Sequence, residues 1–415
     1  MNGMRAAREV WVTGLGIVSC LGEGAAAHWQ VLAGAAPLDV AVDEARFSPY
    51  PVHPLAPIDV GRQIKSKADL KQMGVWQRIG VYAAGCALED AGLAGNEDVL
   101  DRMDLLVAAG NGERDEALDG RVCEALARLD AAASGAKLNE LLSTGIRPTL
   151  YLGELSNLLA GNIQIVHKVT GSSRTLKGEE IAGVSVVENA TRRIAAGQSD
   201  IALVGGALNA EREDLLLCYE LGGYLWRQPY RPVWQRHAGG GGFIAGSMAA
   251  FLVIEAREHA EARGVVGHAR IRDVVSQRAR RAAEGEITAS LSQLAAQLEG
   301  APIGTATAIL SGASGVEPAT REERAFVQGL SSSTSQPLVC AYGSRVGHGV
   351  EAHFPLGVAL ACVALRQGRF YAPCEESKAA PHTAEPLDRV LVTGVGHWRG
   401  EGLALLERTP SGGRA

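Results

Sequence analysis

Two neighbouring carboxylates, Glu179 and Glu180, stand at the start of a predicted helix in the stretch RTLKGEEIAG. The stretch predicts a strand–elbow–helix turn that presents one side chain at a helix N-terminus. Backbone N–H groups and the helix dipole favour negative charge there, and a thiol in that place would be an activated nucleophile. Two interpretations stay open from the residues alone. Either Glu180 occupies the nucleophile position of a buried elbow, or both glutamates are first-turn residues on an exposed face.

The other motifs that could carry chemistry are incomplete. VTGLGIVS is similar to a dinucleotide-binding loop, but position 19, where the third glycine is required, is Ser, and no acidic residue follows at the required distance. The ten histidines form no zinc-ligand spacing such as HExxH. The seven cysteines are far apart and contain no CxxC pair, which is typical of reduced thiols in a cytoplasm. The sequence therefore predicts no cofactor and no metal.

Composition narrows the class of protein. The chain has 415 residues, of which 47% are hydrophobic and 21% charged, and its formal net charge is −6. These values are ordinary for a globular protein, and the acidic balance argues against nucleic-acid binding and against a polybasic membrane-surface protein. No apolar run reaches the ~18 residues of a transmembrane helix, and the N-terminus does not read as a signal peptide. We therefore expect a cytoplasmic protein with no membrane span.

Predicted strands and helices alternate along the chain. Apolar runs bounded by glycine predict strands at 9–18, 103–110, 198–207, 246–256, 305–313, 336–344, 389–396 and 402–408. Helical spacing predicts helices at 75–90, 115–129, 181–196 and 354–365, and residues 277–300 are expected to be an exposed helical connection. The alternation predicts a mostly parallel buried sheet with helices on its faces. The length suits two halves, 1–256 and 257–415.

Several collinear motifs resemble those of the elongating β-ketoacyl-ACP synthases. They run from about Val10 to Leu406 and read VTGLGIVSCLGEG, ALEDAGL, LSNLLAGNIQIVHKVTGSS, AAGQSDIALVGGA, RPVWQRHAGGGGFIAGSMAAFLVIE, SRVGHG and TGVGHWRG. The resemblance implies an α/β, thiolase-like fold. In that fold two similar halves, with mostly parallel buried sheets, stack in α-β-α-β-α layers.

Most catalytic positions of that family are substituted in this chain. The resemblance places the nucleophilic cysteine at Glu180, the first catalytic histidine at Ala313 and the active-site lysine at Gly343. The second histidine is retained as His348. In the family the cysteine accepts an acyl chain and the histidines stabilise an enolate oxygen, and one such donor is typically worth about a hundred- to a thousandfold in rate. Losing the nucleophile and one donor together predicts that condensation is lost.

The resemblance also assigns residues of this chain to the family's gate, carrier-docking and subunit-interface positions. The phenylalanine gate falls on Val395, and a glycine of the same loop is replaced by His397. The basic carrier-protein docking residues match Lys67 and Lys71, whose charge suits an acidic acyl carrier protein; a solvated helix end is the alternative interpretation. The chain-length residue falls on Glu113. A charge there would not line an apolar acyl pocket, and it would suit a polar contact with a different partner subunit.

Three functions stay open. The first is a ketosynthase-like subunit without condensing activity, which pairs with an active ketosynthase and shapes the acyl tunnel in fatty-acid or polyketide elongation. The second is an enzyme of altered chemistry, a malonyl-carrier-protein decarboxylase or an acyltransferase that uses Glu180 and His348. The third is a homodimeric acyl-carrier-binding protein. The substituted elbow resembles a chain-length factor, and GEE with LSNLLAGNIQIVHK resembles cysteine-less proteins of alphaproteobacterial gene sets for the very-long-chain fatty acids of lipid A.

Overall fold

The computed structural model describes residues 7–34, 40–298, 307–330, 337–374 and 386–409. Strands in these ranges are β1 Val10–Ser19, β2 Gly22–Glu23, β3 Val52–His53, β4 Asp104–Ala108, β5 Ser173–Leu176, β6 Ile201–Leu208, β7 Ala245–Gly246, β8 Met248–Ala256, β9 Ala269–Gln277, β10 Thr307–Ser311, β11 Leu338–Ala341, β12 Arg389–Val395 and β13 Glu401–Glu407. Helices are α1 Gly24–Leu32, α2 Lys67–Gln72, α3 Val75–Asp90, α4 Glu97–Leu100, α5 Glu116–Leu126, α6 Ala131–Gly145, α7 Leu150–Glu154, α8 Leu158–His167, α9 Glu180–Ala195, α10 Glu213–Leu221, α11 Arg257–Ala262, α12 Glu286–Gln297, α13 Ala319–Gly329, α14 Gly343–Val346 and α15 His353–Gln367.

Eleven strands form one sheet in which a strand order is repeated. The order is β11-β10-β12-β13-β9-β1-β8-β6-β4-β5, with β2 paired to β1. Read from the β11 edge, the five strands of the second half stand in the chain order third, second, fourth, fifth and first (β11, β10, β12, β13, β9). Read from the opposite edge, the first half repeats this order (β5, β4, β6, β8, β1). The two half-sheets meet where residues 10–12 of β1 pair with residues 269–271 of β9. The repeat agrees with two similar halves; the boundary at residue 256 stays a prediction.

The sheet mixes parallel and antiparallel pairs. Pairing is parallel for β5–β4–β6 and for β11–β10–β12, which are the outer strands of each half. Pairing is antiparallel for β6–β8, β8–β1, β9–β13 and β13–β12, which lie towards the middle. Antiparallel neighbours need only short connections, and the link from Val395 to Glu401 is such a turn. The parallel pairing predicted from the sequence is therefore found in the outer part of each half, and the strands nearer the middle are antiparallel.

Three apolar clusters define five layers. Helices α3 and α8 pack on the outer face of the first half-sheet, and α12 and α13 pack on the outer face of the second. Helices α9 and α15 lie between the half-sheets, and every residue of α15 from His353 to Leu365 is buried. The predicted α-β-α-β-α arrangement is confirmed. No helix within the described residues is long and apolar enough to cross a membrane.

The helix expected within 277–300 is present, but the expectation that it is an exposed connection was wrong. Strand β9, which was not predicted, ends at Gln277, and α12 follows with Ile287, Leu291 and Leu294 buried on one face. These residues recur at helical spacing, so α12 has an apolar stripe that covers the second half-sheet. The predicted strand at 336–344 is also shorter, because the chain turns into α14 after β11. Residues 299–306 and 336 lie outside the described ranges.

Candidate active site

The elbow predicted at RTLKGEEIAG connects β5 to α9. Strand β5 ends at Leu176 and α9 begins at Glu180. Between them Glu179 has a φ of 60°, a conformation that costs a non-glycine residue about 1–3 kcal/mol unless the surroundings hold it. Glu180 is only 4% exposed. The interpretation that Glu180 lies on an exposed helix face is therefore wrong, whereas Glu179 is half-buried.

One oxygen of Glu180 accepts hydrogen bonds from two distant histidines. Oε1 lies 2.7 Å from Nε2 of His348, 2.8 Å from Nδ1 of His397 and 3.1 Å from the backbone N–H of His397. Burial favours a raised pKa for Glu180, but the charge on His397 and the hydrogen bonds from both rings lower that pKa well below its usual value. Burial would lower the pKa of His397, and the Glu180 charge reverses this and raises it. The elbow therefore holds an ionised, buried ion pair.

A second contact ties the 396–400 loop to the elbow. The indole Nε1 of Trp398 donates to the carboxylate of Glu179. Behind the loop, Arg281 donates to the carbonyls of residues 396 and 400 at 2.8 and 3.2 Å and pairs with the buried Glu401 at 2.8 Å. The loop is thus held on both sides, by the elbow glutamates and by Arg281.

The lost histidine and lysine positions lie close to His348 but carry no replacement side chain. Ala313 is buried with Val233 in a small apolar cluster. Gly343 begins α14, and a Cβ at this glycine would lie 3.5 Å from Cε1 of His353. The ring of His353 lies 4.6 Å from that of His348, so an imidazole that sequence reasoning missed occupies the space beside the lost lysine.

The gate position does not face the elbow. Val395 packs in the outer apolar cluster with α12 and α13. The side chain of this loop that reaches Glu180 is His397, for which the sequence predicts no role. A histidine in place of a glycine was the available signal, because it adds an ionisable group to a loop expected to lie beside the nucleophile position.

Glu113 serves its own chain as a helix cap. Its carboxylate accepts from the backbone N–H of Val75 at 2.6 Å and of Trp76 at 2.8 Å, at the start of α3, and from Nδ2 of Asn209 at 3.0 Å. Carboxylates are stabilised at helix N-termini. The carboxylate is therefore occupied within this chain, and a contact with a partner subunit stays a prediction for Glu113.

The predicted docking lysines lie at the protein surface and are far from the elbow residues in the sequence. Lys67 and Lys71 are exposed on α2, as is Lys65 just before it. Within the described residues none of the three makes an ion pair with a carboxylate. A row of unpaired cations is free to meet an acidic surface, and its use for carrier docking stays a prediction.

A cavity of about 1540 Å³ opens beside the elbow. Its wall includes Glu179, His397 and Trp398 from the elbow region, Tyr219 from α10, and Glu351, a buried carboxyl that sequence reasoning missed. Burial, together with the charges of the elbow glutamates, raises the pKa of Glu351 to about 7. The site thus contains one carboxyl held ionised in an ion pair and one that changes its protonation near neutral pH.

Three side chains at the elbow could offer ligand atoms to a metal ion. Donor atoms of Glu179, Glu180 and His397 lie within 4.8 Å of one another, and carboxylate with imidazole is a donor set that suits divalent cations. However, Oε1 of Glu180 already accepts hydrogen bonds from both histidines. Glu180 and His397 therefore satisfy each other as an ion pair, and Glu179 accepts a hydrogen bond from Trp398.

Comparison with known proteins identifies the family. Residues 7–260 match the family described as "Beta-ketoacyl synthase, N-terminal domain", and the chain belongs to this family. It is 26% identical over 273 residues to 3-oxoacyl-(acyl-carrier-protein) synthase 2 of Vibrio cholerae serotype O1, a match that covers 64% of this chain and 62% of that protein. It is 29% identical over 277 residues to the protein of the same name from Rhizobium meliloti, covering 64% and 63%. The matches thus span less than two thirds of these relatives.

Solved structures share the fold over nearly the whole chain. "The ishigamide ketosynthase/chain length factor" is 20% identical, with a TM-score of 0.79 and coverage of 98% of this chain and 100% of that chain. A beta-ketoacyl synthase from Burkholderia phymatum is 18% identical, with a TM-score of 0.75 and coverage of 97% and 100%. A type II polyketide ketosynthase in complex with its acyl-carrier protein is 17% identical, with a TM-score of 0.72 and coverage of 97% and 100%. The thiolase-like fold expected from the sequence is confirmed.

Proposed function

We propose that this chain is a ketosynthase-fold subunit without condensing activity, which pairs with an active ketosynthase and shapes the acyl tunnel during carrier-bound chain elongation. The observation that carries the proposal is the ion pair of Glu180 with His397, together with the hydrogen bond from His348, at the nucleophile position. The carboxylate is a weak nucleophile because its pKa is held low, and attack on a thioester would break the ion pair and give an anhydride, which lies uphill.

Glu180 also engages the retained histidine, His348. His348 donates its Nε2 hydrogen to Glu180 at 2.7 Å, so this hydrogen is not available to an enolate oxygen. Ala313 offers no hydrogen-bond donor in place of the other histidine. Both donors that would stabilise the developing negative charge are missing, and each is typically worth about a hundred- to a thousandfold in rate.

A pairing surface supports the partner role. Strand β5 is the last strand of the sheet order and pairs with β4, so its other edge is unpaired within the described residues, and Ser173 and Arg174 are exposed. Large apolar side chains are exposed on the neighbouring segments: Tyr151 at 58%, Leu155 at 46% and Ile165 at 57%. An exposed strand edge flanked by apolar side chains is a template for pairing with another chain. The partner is an active ketosynthase by this proposal, with a homodimer as the alternative.

Within the family, we place the chain in a cysteine-less, chain-length-factor-like subgroup. The solved structure titled "The ishigamide ketosynthase/chain length factor" supports this placement, and the sequence similarity to proteins of alphaproteobacterial lipid A gene sets makes very-long-chain acyl groups the proposed product. The acyl substrate would arrive on an acyl carrier protein in the cytoplasm. The solved ketosynthase complex with its acyl-carrier protein supports this kind of partner, and Lys67 and Lys71 are the proposed docking residues.

An enzyme of altered chemistry is the alternative. A decarboxylase or acyltransferase that uses Glu180 would need this carboxylate to leave both histidines, and His348 to act as the acid–base group. Such an enzyme would lose turnover on His348→Ala. The partner-subunit role predicts instead that the complex and its product are retained in that variant, provided the protein folds.

The test is co-expression with a cysteine-containing ketosynthase of the same organism. We expect a stable complex of the two chains, and a product chain length that changes when this subunit is omitted. Ile165→Asp should weaken the complex because it places a charge on the apolar surface beside β5. Val266→Asp is the matched control, since Val266 is 62% exposed and lies in the other half. Absence of any complex with such synthases would overturn the proposal.

A further inference from the structure

Glu351 is a buried carboxyl that takes no part in the ion pair at the elbow. It lies in the one-turn 3-10 helix Val350–Ala352, is 3% exposed and lines the cavity. Within the described residues its carboxyl bonds to its own backbone N–H and to no other residue. Buried polar groups nearly always have a partner, so this carboxyl marks a place where a ligand atom is expected.

The backbone is built to hold this carboxyl in place. Val350, directly before it, has a φ of 43°, which is an outlier for a β-branched residue and persists only where the surrounding structure enforces it. A Cβ on Gly110, at the end of β4, would lie 2.5 Å from Oε1 of Glu351. A Cβ on Gly183 of α9 would lie 2.5 Å from the Glu351 carbonyl oxygen. The carboxyl thus lies against Gly110, just after β4, while the backbone of Glu351 is held against the central helix α9.

The charges around Glu351 leave it able to donate or to accept a hydrogen bond. Burial and the charges of Glu180 and Glu179 raise its pKa to about 7, against the opposing effects of its own N–H and of His397. Tyr219 of α10 lines the same cavity, and burial and the Glu351 charge raise the pKa of that phenol as well. At neutral pH both the carboxylic acid and the carboxylate of Glu351 are therefore populated.

We propose that Glu351 binds an oxygen function near the thioester end of an acyl chain, so that the cavity selects hydroxyacyl or oxoacyl chains over saturated ones. This inference rests on the proposed function, which makes acyl chains the ligands. A hydroxyl donates to the carboxylate and a keto oxygen accepts from the carboxylic acid, whereas a saturated chain would exclude water and leave the carboxyl unpartnered. Because Glu351 lines the same cavity as Glu179 and His397 at the elbow, the oxygen belongs on one of the first carbons after the thioester.

The test is a binding titration with three pantetheine thioesters: dodecanoyl, 3-hydroxydodecanoyl and 3-oxododecanoyl. The protein is the full chain, in complex with the condensing synthase where co-expression gives one. We expect both oxygenated thioesters to bind about tenfold more tightly than the saturated one. Glu351→Leu should remove this preference, and Glu351→Gln should keep it because the amide has the same size and both donates and accepts.

A pH series separates a binding role from mere effects on folding. Between pH 6 and pH 8 the preference for the hydroxy over the oxo thioester should rise in the unmodified protein, because the carboxyl changes from donor to acceptor, and it should stay constant in Glu351→Gln. Equal binding of all three thioesters, or a preference that survives in Glu351→Leu, would overturn this inference and leave the proposed function standing. Binding of none of them would overturn both.

Discussion

His397 binds Glu180 twice, through its backbone N–H at 3.1 Å and its ring Nδ1 at 2.8 Å, although 217 positions separate the two residues. Each residue stands where the family resemblance places another type, Glu180 at the cysteine position and His397 at a glycine. The two substitutions are complementary, since a carboxylate buried at the elbow would be costly without a cation beside it. The elbow and the 396–400 loop therefore hold each other in place.

Removing the carboxylate should destabilise the fold. Glu180→Ala leaves a buried imidazole without its counter-charge, and breaking a buried pair from one side costs about 3–5 kcal/mol. Urea unfolding at pH 7 would measure the loss. Glu140→Ala is the control, because Glu140 forms an exposed pair with Lys137 and such pairs contribute at most about 1 kcal/mol. A gain in stability on Glu180→Ala would instead mark Glu180 as a strained functional residue.

Protonation of Glu351 should make the free energy of unfolding depend on pH. Its pKa is about 7 in the folded chain against 4.5 as the ordinary value, so between these pH values the folded state binds a proton that the unfolded state does not. The free energy of unfolding therefore falls as pH rises through this window. Burial raises the pKa of Glu323 to about 7 as well, so Glu351→Gln should reduce this fall without abolishing it, becoming more stable than the unmodified protein above pH 7 by about 3 kcal/mol. Unfolding curves that shift in parallel with pH in both proteins would contradict the assignment.

Restoring the thiol alone should not restore condensation. Glu180→Cys supplies a nucleophile, but Ala313 and Gly343 still lack the histidine and lysine, and His397 loses the carboxylate it was paired with. We expect no oxoacyl product by liquid chromatography and mass spectrometry from acyl and malonyl carrier protein. Adding Ala313→His should be needed before product is detected, since an oxyanion donor is worth about a hundred- to a thousandfold. Condensation by the single variant would show that the first donor is dispensable.

Reversing the charge on α2 should weaken carrier binding. Lys67→Glu or Lys71→Glu should lower the affinity for an acidic acyl carrier protein several-fold at low salt, and the difference should shrink as ionic strength rises. Surface plasmon resonance at two salt concentrations would measure both effects. Lys137→Glu makes the same charge change on α6, away from the proposed docking surface. An equal loss in all three variants would show that net charge alone is responsible.

The elbow could be predicted because its pattern is local. A strand-like run followed by GEE and a helical apolar spacing defines the turn and, with the family motifs, the nucleophile position at Glu180. The contacts that decide its chemistry could not be predicted, because His397 and Glu351 lie far away in the chain and reach the site only through the packing of β12, β13 and the 3-10 turn before α15. Without those contacts, the residues left both a buried and an exposed glutamate open.

The missed elements have a similar cause. Strand β9 alternates buried and half-buried residues, including arginines, so its apolar pattern is interrupted. The Ala-, Arg- and Glu-rich surroundings of α12 predict an exposed helix, although Ile287, Leu291 and Leu294 show the helical spacing of a buried stripe. Composition averaged over a segment conceals a single apolar stripe, and this stripe is what attaches α12 to the second half-sheet.

The most direct test of the central claim is intact-protein mass spectrometry of this chain after incubation with acyl carrier protein thioesters and malonyl carrier protein, with carbon dioxide release followed in the same reactions. Because Glu180 is held in its ion pair with His397 and its hydrogen bond from His348, we predict no acyl adduct and no carbon dioxide above the protein-free control. An adduct, or carbon dioxide release, that disappears in Glu180→Gln would contradict the account and make Glu180 the centre of a working enzyme.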